Sequence, residues 1–160
     1  LTKKKIVTVS GGFDPIHVGH VRMIQEAATY GDVIIIANSD KWLKRKKGYV
    51  FMSYEERQEI LYALKGVVDV MEADDDDNTV CKTLEKIKPD IFANGGDRKT
   101  GNVPEYNVCR KLGIDMLFGI GGNDKPQSSS WLVDKATKSL QEVSEVIGYA
   151  IGYQDGVEKK

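Results

Sequence analysis

"IVTVSGGFDPIHVGHV", residues Ile6 to Val21, decides how the rest of the chain reads. β-branched and apolar residues run straight into Ser10-Gly11-Gly12, the pattern of a strand that ends in a tight turn. After Pro15, apolar residues recur at Val18, Val21, Ile24 and Ala28, a helical spacing that stops at Gly31. A strand handed to a helix through a glycine turn is the opening unit of a parallel α/β sheet. The two histidines of the chain, His17 and His20, both fall at the start of that helix.

The alternation continues downstream. "DVIIIAN" (Asp32 to Asn38) is a continuous apolar run of the kind that strands covered on both faces show. "SYEERQEILYALKG" opens with Ser53 and Glu56 in capping-box register and closes on Lys65-Gly66, so both ends of a helix are signalled. "VVDVM" reads as a strand, then a helix near Thr79 to Lys88 is stopped by Pro89, and "DIFAN" is a further strand. A helix near Val103 with Pro104 in its first turn, the strand "IDMLFGI" and a final helix from near Ser128 complete the pattern. The expected fold is a Rossmann-like, doubly wound parallel sheet of about five strands, with helices on both faces and a C-terminal helix. One domain is expected over 1–160, with a core of about 5–135 and a helical tail of about 136–160. Along that tail Leu140, Val143, Ile147 and Ile151 form an apolar stripe. Most such stripes pack on the chain's own core, and the remainder cover the contact of a homodimer.

Composition narrows the class. The chain has 160 residues, 41% hydrophobic and 29% charged, ordinary values for a soluble globular protein. A net charge of −1 lacks the basic surplus of a general nucleic-acid binder, and no apolar run is long enough to span a membrane or to serve as a secretory signal. Cys81 and Cys109 stand in different segments, as expected of neutral thiols in a reducing compartment, so a cytoplasmic location is expected. Two charge runs stand out: "KWLKRKK" (Lys41 to Lys47) and "EADDDD" (Glu72 to Asp77). Taken alone, both read as solvated loops. The acidic run does not fit a calcium loop, because Thr79 stands where the required glycine belongs.

The glycine turn and the two histidines carry the chemistry. Gly11 and Gly12 allow close backbone approach to a ligand, and the start of a helix offers free N–H groups and the positive end of its dipole. His17 and His20 share one helical face, with Gly19 between them leaving room for close contact. No cysteine lies at metal spacing from the pair, so no metal site is expected.

This stretch, His17-Val18-Gly19-His20 preceded by Gly11-Gly12-Phe13-Asp14, resembles the nucleotidyltransferase superfamily of the cytidylyltransferase-like type. "NSDKWLKRKKG" (Asn38 to Gly48), "SYEERQEILYAL" and "IKPDIFANGGD" (Ile87 to Asp97) look like successive blocks of the bacterial heptose-phosphate adenylyltransferases, and are similar to glycerol-3-phosphate cytidylyltransferases. The resemblance implies an enzyme that joins a nucleoside monophosphate from ATP or CTP to a small phosphorylated metabolite, with Mg2+ carried by the nucleotide. It implies His17, His20 and Lys44 in catalysis. Gly11, Gly12, Phe13, Asp14, Gly95, Gly96 and Asp97 would line the nucleotide, together with Ser128, Ser129 and Ser130. Arg45, Lys47, Arg57 and Lys125 would meet acceptor or leaving phosphates. "GGNDKPQSSSW" departs from the family's Gly-x-Ser-Thr-Thr pattern, with Pro126 in place of a glycine and serines in place of threonines. Two other readings share the histidine logic: a fragment of an aminoacyl-tRNA synthetase, disfavoured by the length and neutral charge, and a nucleotide sensor without turnover.

Overall fold

The computed structural model describes residues 2–96, 98, 99, 101, 103–122 and 124–157, for 152–157 the backbone alone. Two compact units are present, Leu1–Gln127 and Ser128–Lys160. In the first, the elements run β1 (Ile6–Gly11), α1 (Val18–Ala27), β2 (Asp32–Ala37), α2 (Asp40–Lys47), α3 (Tyr54–Tyr62), β3 (Val67–Glu72), α4 (Cys81–Ile87), β4 (Ile91–Gly95), α5 (Tyr106–Leu112) and β5 (Asp115–Ile120). The second unit holds α6 (Ser129–Val157).

The strands form one five-stranded parallel sheet in the order β3-β2-β1-β4-β5. Because side chains alternate across a strand, each strand supplies both faces. Val33 and Ile35 of β2 join Val7, Val9, Ile24, Ala27, Leu61 and Ile91 in one core, under α1 and α3. Ile36 and Phe92 point the other way and pack with Leu84, Val103, Cys109 and Ile114 beside α4 and α5. Helices cover both faces, and the expected doubly wound α/β sheet is present. Burial pushes the Cys109 thiol up to about 11, helped by Glu105, and raises Cys81 by the same cause, so both stay protonated at neutral pH. Among the described residues, no helix is long and apolar enough to cross a membrane.

Strand order reverses at β1, which pairs with β2 on one side and β4 on the other. Pairing with β2 continues to Gly11↔Ala37, whereas pairing with β4 runs only through Val7↔Ile91 and Thr8↔Phe92. The sheet therefore parts at the carboxyl end of β1, the place where open α/β sheets take ligands.

The largest departure from the sequence reading is "KWLKRKK", which lies in a helix, not a loop. Ser39 caps it by accepting from the Trp42 amide at 3.1 Å, Leu43 buries completely, and Gly48 closes it with φ of +85°. Lys44, Arg45, Lys46 and Lys47 fill the last turn, where the negative end of the dipole favours cations. The apolar content was too small to reveal a period. The helix expected from Val103 begins instead at Tyr106, with Val103 buried in the core ahead of it.

Candidate active site

His17 is the N-cap of α1: its side chain accepts from Gly19, and its amide is tied to the His20 side chain. The Gly19 amide donates to His17 Nδ1 at 3.1 Å, and the His17 amide donates to His20 Nδ1 at 3.3 Å. This is the capping-box arrangement with two imidazoles in place of the usual hydroxyl and carboxylate. The rings stack with centroids 3.7 Å apart, and a Cβ on Gly19 would stand 2.9 Å from His17 Cε1. Glycine at position 19 is what lets the first ring fold back onto the second. Phe13, in a turn with φ of +51°, closes edge-on to His20 at 4.9 Å.

Each Nδ1 accepts a backbone proton, so each neutral imidazole carries its own proton on Nε2. Protonation is suppressed in both. Burial, His17 and the Lys47 ammonium push His20 down to about 3. Burial, then Lys125 and Lys47, lowers His17 as well. At neutral pH the start of α1 therefore presents two uncharged N–H donors of fixed tautomer.

The low His20 value has a consequence for stability. Between about pH 6.5 and about pH 3 the unfolded chain binds a proton on this histidine that the folded chain refuses. The stabilising contribution is complete above about pH 6.5 and is lost as the pH falls, at about 1.4 kcal/mol per pH unit. His17 acts in the same direction. Urea unfolding near pH 5 is expected to give about 2 kcal/mol less stability from His20 than near pH 7. His20→Asn should remove most of that difference, and an unchanged difference would refute the assignment.

Lys47 is the cation whose charge acts on both histidines. Its Nζ donates to the Asp14 carbonyl at 3.0 Å, and a Cβ on Gly12 would stand 4.0 Å from it. Burial holds Lys47 below its ordinary value, with Asp14 opposing and Arg57 adding. Lys44, the lysine first expected at the reaction, is exposed on α2 one turn earlier.

Three other expected ligand contacts are placed differently. The Asp14 carboxylate is fully buried and accepts from the Phe51 and Met52 amides at 2.7 and 2.6 Å, so it fastens the 51–52 segment to the glycine turn. Arg57 is fully buried too. It donates to the carbonyls of Met52, Gly12 and Asn38 at 3.1, 2.8 and 2.8 Å, and to Asp40 Oδ1 at 2.7 Å. No face of that guanidinium is open to a phosphate. Arg45 donates to the Asp75 carbonyl at 2.8 Å.

That last contact belongs to a group the sequence reading left in solvent. Asp75, in the acidic run, is 2% exposed. Its carboxylate accepts from Asn38 Nδ2, the Ser39 amide and Ser39 Oγ at 3.1, 2.9 and 2.6 Å. The acidic loop thus holds the start of α2, the helix that carries Lys47. Nothing in a run of four aspartates marks which one is buried.

At the end of β4, a Cβ on Gly95 would lie 2.8 Å from Met23 Sδ and 3.1 Å from the Ile120 carbonyl. This glycine makes room for Met23 of α1 and for the end of β5. Gly96, with φ of +64°, has nothing within 4 Å of a Cβ position and faces open space. Asp97 lies outside the described residues. Pro126 comes within 3.5 Å of a Cβ position on Gly19, which sets the Lys125-Pro126 segment beside the start of α1. In the second unit, Ser128 and Ser129 are buried and Ser130 is exposed, with Ser128 Oγ and Ser130 Oγ 2.8 Å apart. Among the described residues, no group of three or more His, Cys, Asp or Glu side chains is arranged to hold a metal ion.

Comparison with known proteins shows the family to which this chain belongs. A bifunctional protein HldE of Geobacter metallireducens is 33% identical over 144 residues, covering 87% of this chain and 28% of that protein. The chain therefore spans little more than a quarter of that relative. The FAD synthase of Ferroglobus placidus is 40% identical over 111 residues, covering 69% of this chain and 71% of that protein. A crystal structure of the lipopolysaccharide core biosynthesis protein from Thermoplasma volcanium GSS1 matches with a TM-score of 0.58 and 25% identity, over 73% of this chain and 95% of that one. The cytidylyltransferase-like family model covers residues 8–118, from β1 through the glycine turn and the paired histidines into β5. The chain belongs to the cytidylyltransferase-like family of nucleotidyltransferases.

Proposed function

We propose that this chain transfers an adenylyl group from ATP to the phosphate of a small sugar phosphate and releases pyrophosphate. The observation that carries the reading is the pair of stacked, neutral, Nε2-protonated histidines at the carboxyl edge of the sheet. In the reaction an acceptor phosphate oxygen forms a bond to the α-phosphorus. The bond from that phosphorus to the bridging oxygen breaks, and its electron pair leaves on pyrophosphate. A phosphate monoester is already largely dianionic at neutral pH, with a second pKa of about 6, so no general base is needed. The task is to hold mutually repelling anions in line and to stabilise charge on the bridging and non-bridging oxygens.

His17 and His20 suit that task as donors, because neutral imidazoles cannot drain the nucleophile by titrating against it. Lys47, and Lys44 on the same helix, supply the positive charge, and Lys125 adds to it beside His17. The backbone of Gly11 to Phe13 and the open side of Gly96 offer room for the phosphates and the nucleoside. Mg2+ enters with the nucleotide. The adenylyl assignment rests on the likeness to heptose-phosphate adenylyltransferases in the Asn38-to-Gly48 block and on the FAD synthase relative, whose product contains an adenylyl group joined to a phosphate.

The test is pyrophosphate release from ATP and from CTP across a panel of sugar, polyol and flavin phosphates. Turnover is expected with ATP and a sugar phosphate. Faster turnover with CTP and glycerol 3-phosphate would replace the adenylyl reading by a cytidylyl one. Nucleotide binding without turnover on any acceptor would make the protein a sensor.

A further inference from the structure

We infer that α6 pairs with the α6 of a second copy of this chain, through a heptad seam along its exposed apolar face. Val133, Ala136, Leu140, Val143, Ile147 and Ala150 follow one another at alternating steps of three and four, the spacing of a and d positions in a coiled coil. Val146 and Ile151 widen the same face at g and e. In the structure Leu140 is 71% exposed, Val143 57%, Val146 69%, Ile147 54% and Ile151 56%.

Charge placement agrees with the seam. Asp134, Lys135, Lys138, Glu142 and Glu145, the charged residues between Val133 and Ile151, all fall at b, c or f. The a, d, e and g positions carry none. A helix meant to face water all round has no reason to sort its charges this way, and two such faces meet without burying or opposing any of them. The area is sufficient as well. The five exposed side chains, at roughly 100 Å² apiece, bury about 1,000 Å² between two copies, the size at which specific interfaces begin. A patch of about 500 Å² on one helix is as large as the largest apolar patches of isolated soluble proteins, about 300–600 Å², which are often functional.

Nothing in this pairing depends on the transfer reaction, so its test stands whatever the acceptor proves to be. Light scattering on the full chain, over a dilution series, is expected to show a species of twice 17.8 kDa that dissociates on dilution. Leu140→Glu with Ile147→Glu, which puts charge at two a positions, should give a monomer with an unchanged melting temperature for the sheet unit. Lys138→Glu, at f, should leave the dimer intact. A monomeric wild type, a double variant that still dimerises, or a double variant that melts early while wild type is monomeric would each overturn the pairing. The last of these would show that the face is covered by the chain's own body.

Discussion

Replacing His17 or His20 by asparagine is expected to slow pyrophosphate release by at least ~100-fold, the scale of losing one preorganised donor at a developing oxyanion. Asparagine separates two duties of these histidines. Its side-chain oxygen can take the place of Nδ1, accepting from the Gly19 amide at position 17 or from the His17 amide at position 20, so the start of α1 keeps its cap. It cannot reach where Nε2–H points. The Asn variants should therefore remain folded and lose rate, whereas His17→Ala should add about 1 kcal/mol of instability from the missing cap. The pH profile tests the lowered titration of the pair. A histidine acting as a base would impose an acid limb on kcat/KM near its titration, since that ratio reports the free enzyme. With His20 held down to about 3 and His17 also lowered, kcat/KM is expected to lack a histidine limb near neutral pH. Near-normal rates in both Asn variants would sink the donor role.

How far the sequence reached depends on which kind of force placed each residue. The sheet was legible because strands covered on both faces must be apolar throughout, as Val33 to Ala37 are, and because Ser53 and Glu56 announce α3 by local hydrogen bonds. The histidine cap was legible in principle: His-x-x-His has the spacing of a capping box, and its neutrality follows once the pair is buried beside Lys47. The destinations of single polar groups were not legible. Asp75 and Asp76 are adjacent and chemically identical, yet one is buried under α2 and the other is exposed. Only the tertiary path of the loop separates them. Gly95 and Gly96 are likewise identical in sequence, but one faces Met23 and the other faces open space. Lys44 and Lys47 differ by one helical turn, and the side of α2 that faces the glycine turn was hidden until "KWLKRKK" was known to be a helix.

Arg57 shows the same limit most sharply, and its removal is expected to have the largest effect on stability. Arg57→Ala deletes a fully buried guanidinium that joins the glycine turn, the end of β2, the start of α2 and the 52 carbonyl. The carbonyls of Gly12, Asn38 and Met52 lose their side-chain donor, that of Asn38 in a buried site, and a cavity remains. Breaking a buried, hydrogen-bonded charge of this kind costs about 3–5 kcal/mol. That is a large share of the ~5–15 kcal/mol that holds a domain together. A fall in melting temperature of about 10 °C or more should follow for a chain of this size. Arg57→Lys retains the charge without the planar fork, so it can serve one or two of the four acceptors and should fall between. A phosphate contact at this position would behave otherwise: Arg57→Ala would then melt normally and raise KM for the acceptor. Loss of less than about 1 kcal/mol together with such a KM increase would return Arg57 to the ligand and overturn its role as the clamp beneath the turn. The expected order of stability is wild type, Arg57→Lys, Arg57→Ala, with activity falling in the same order because the glycine turn and Lys47 lose their common anchor.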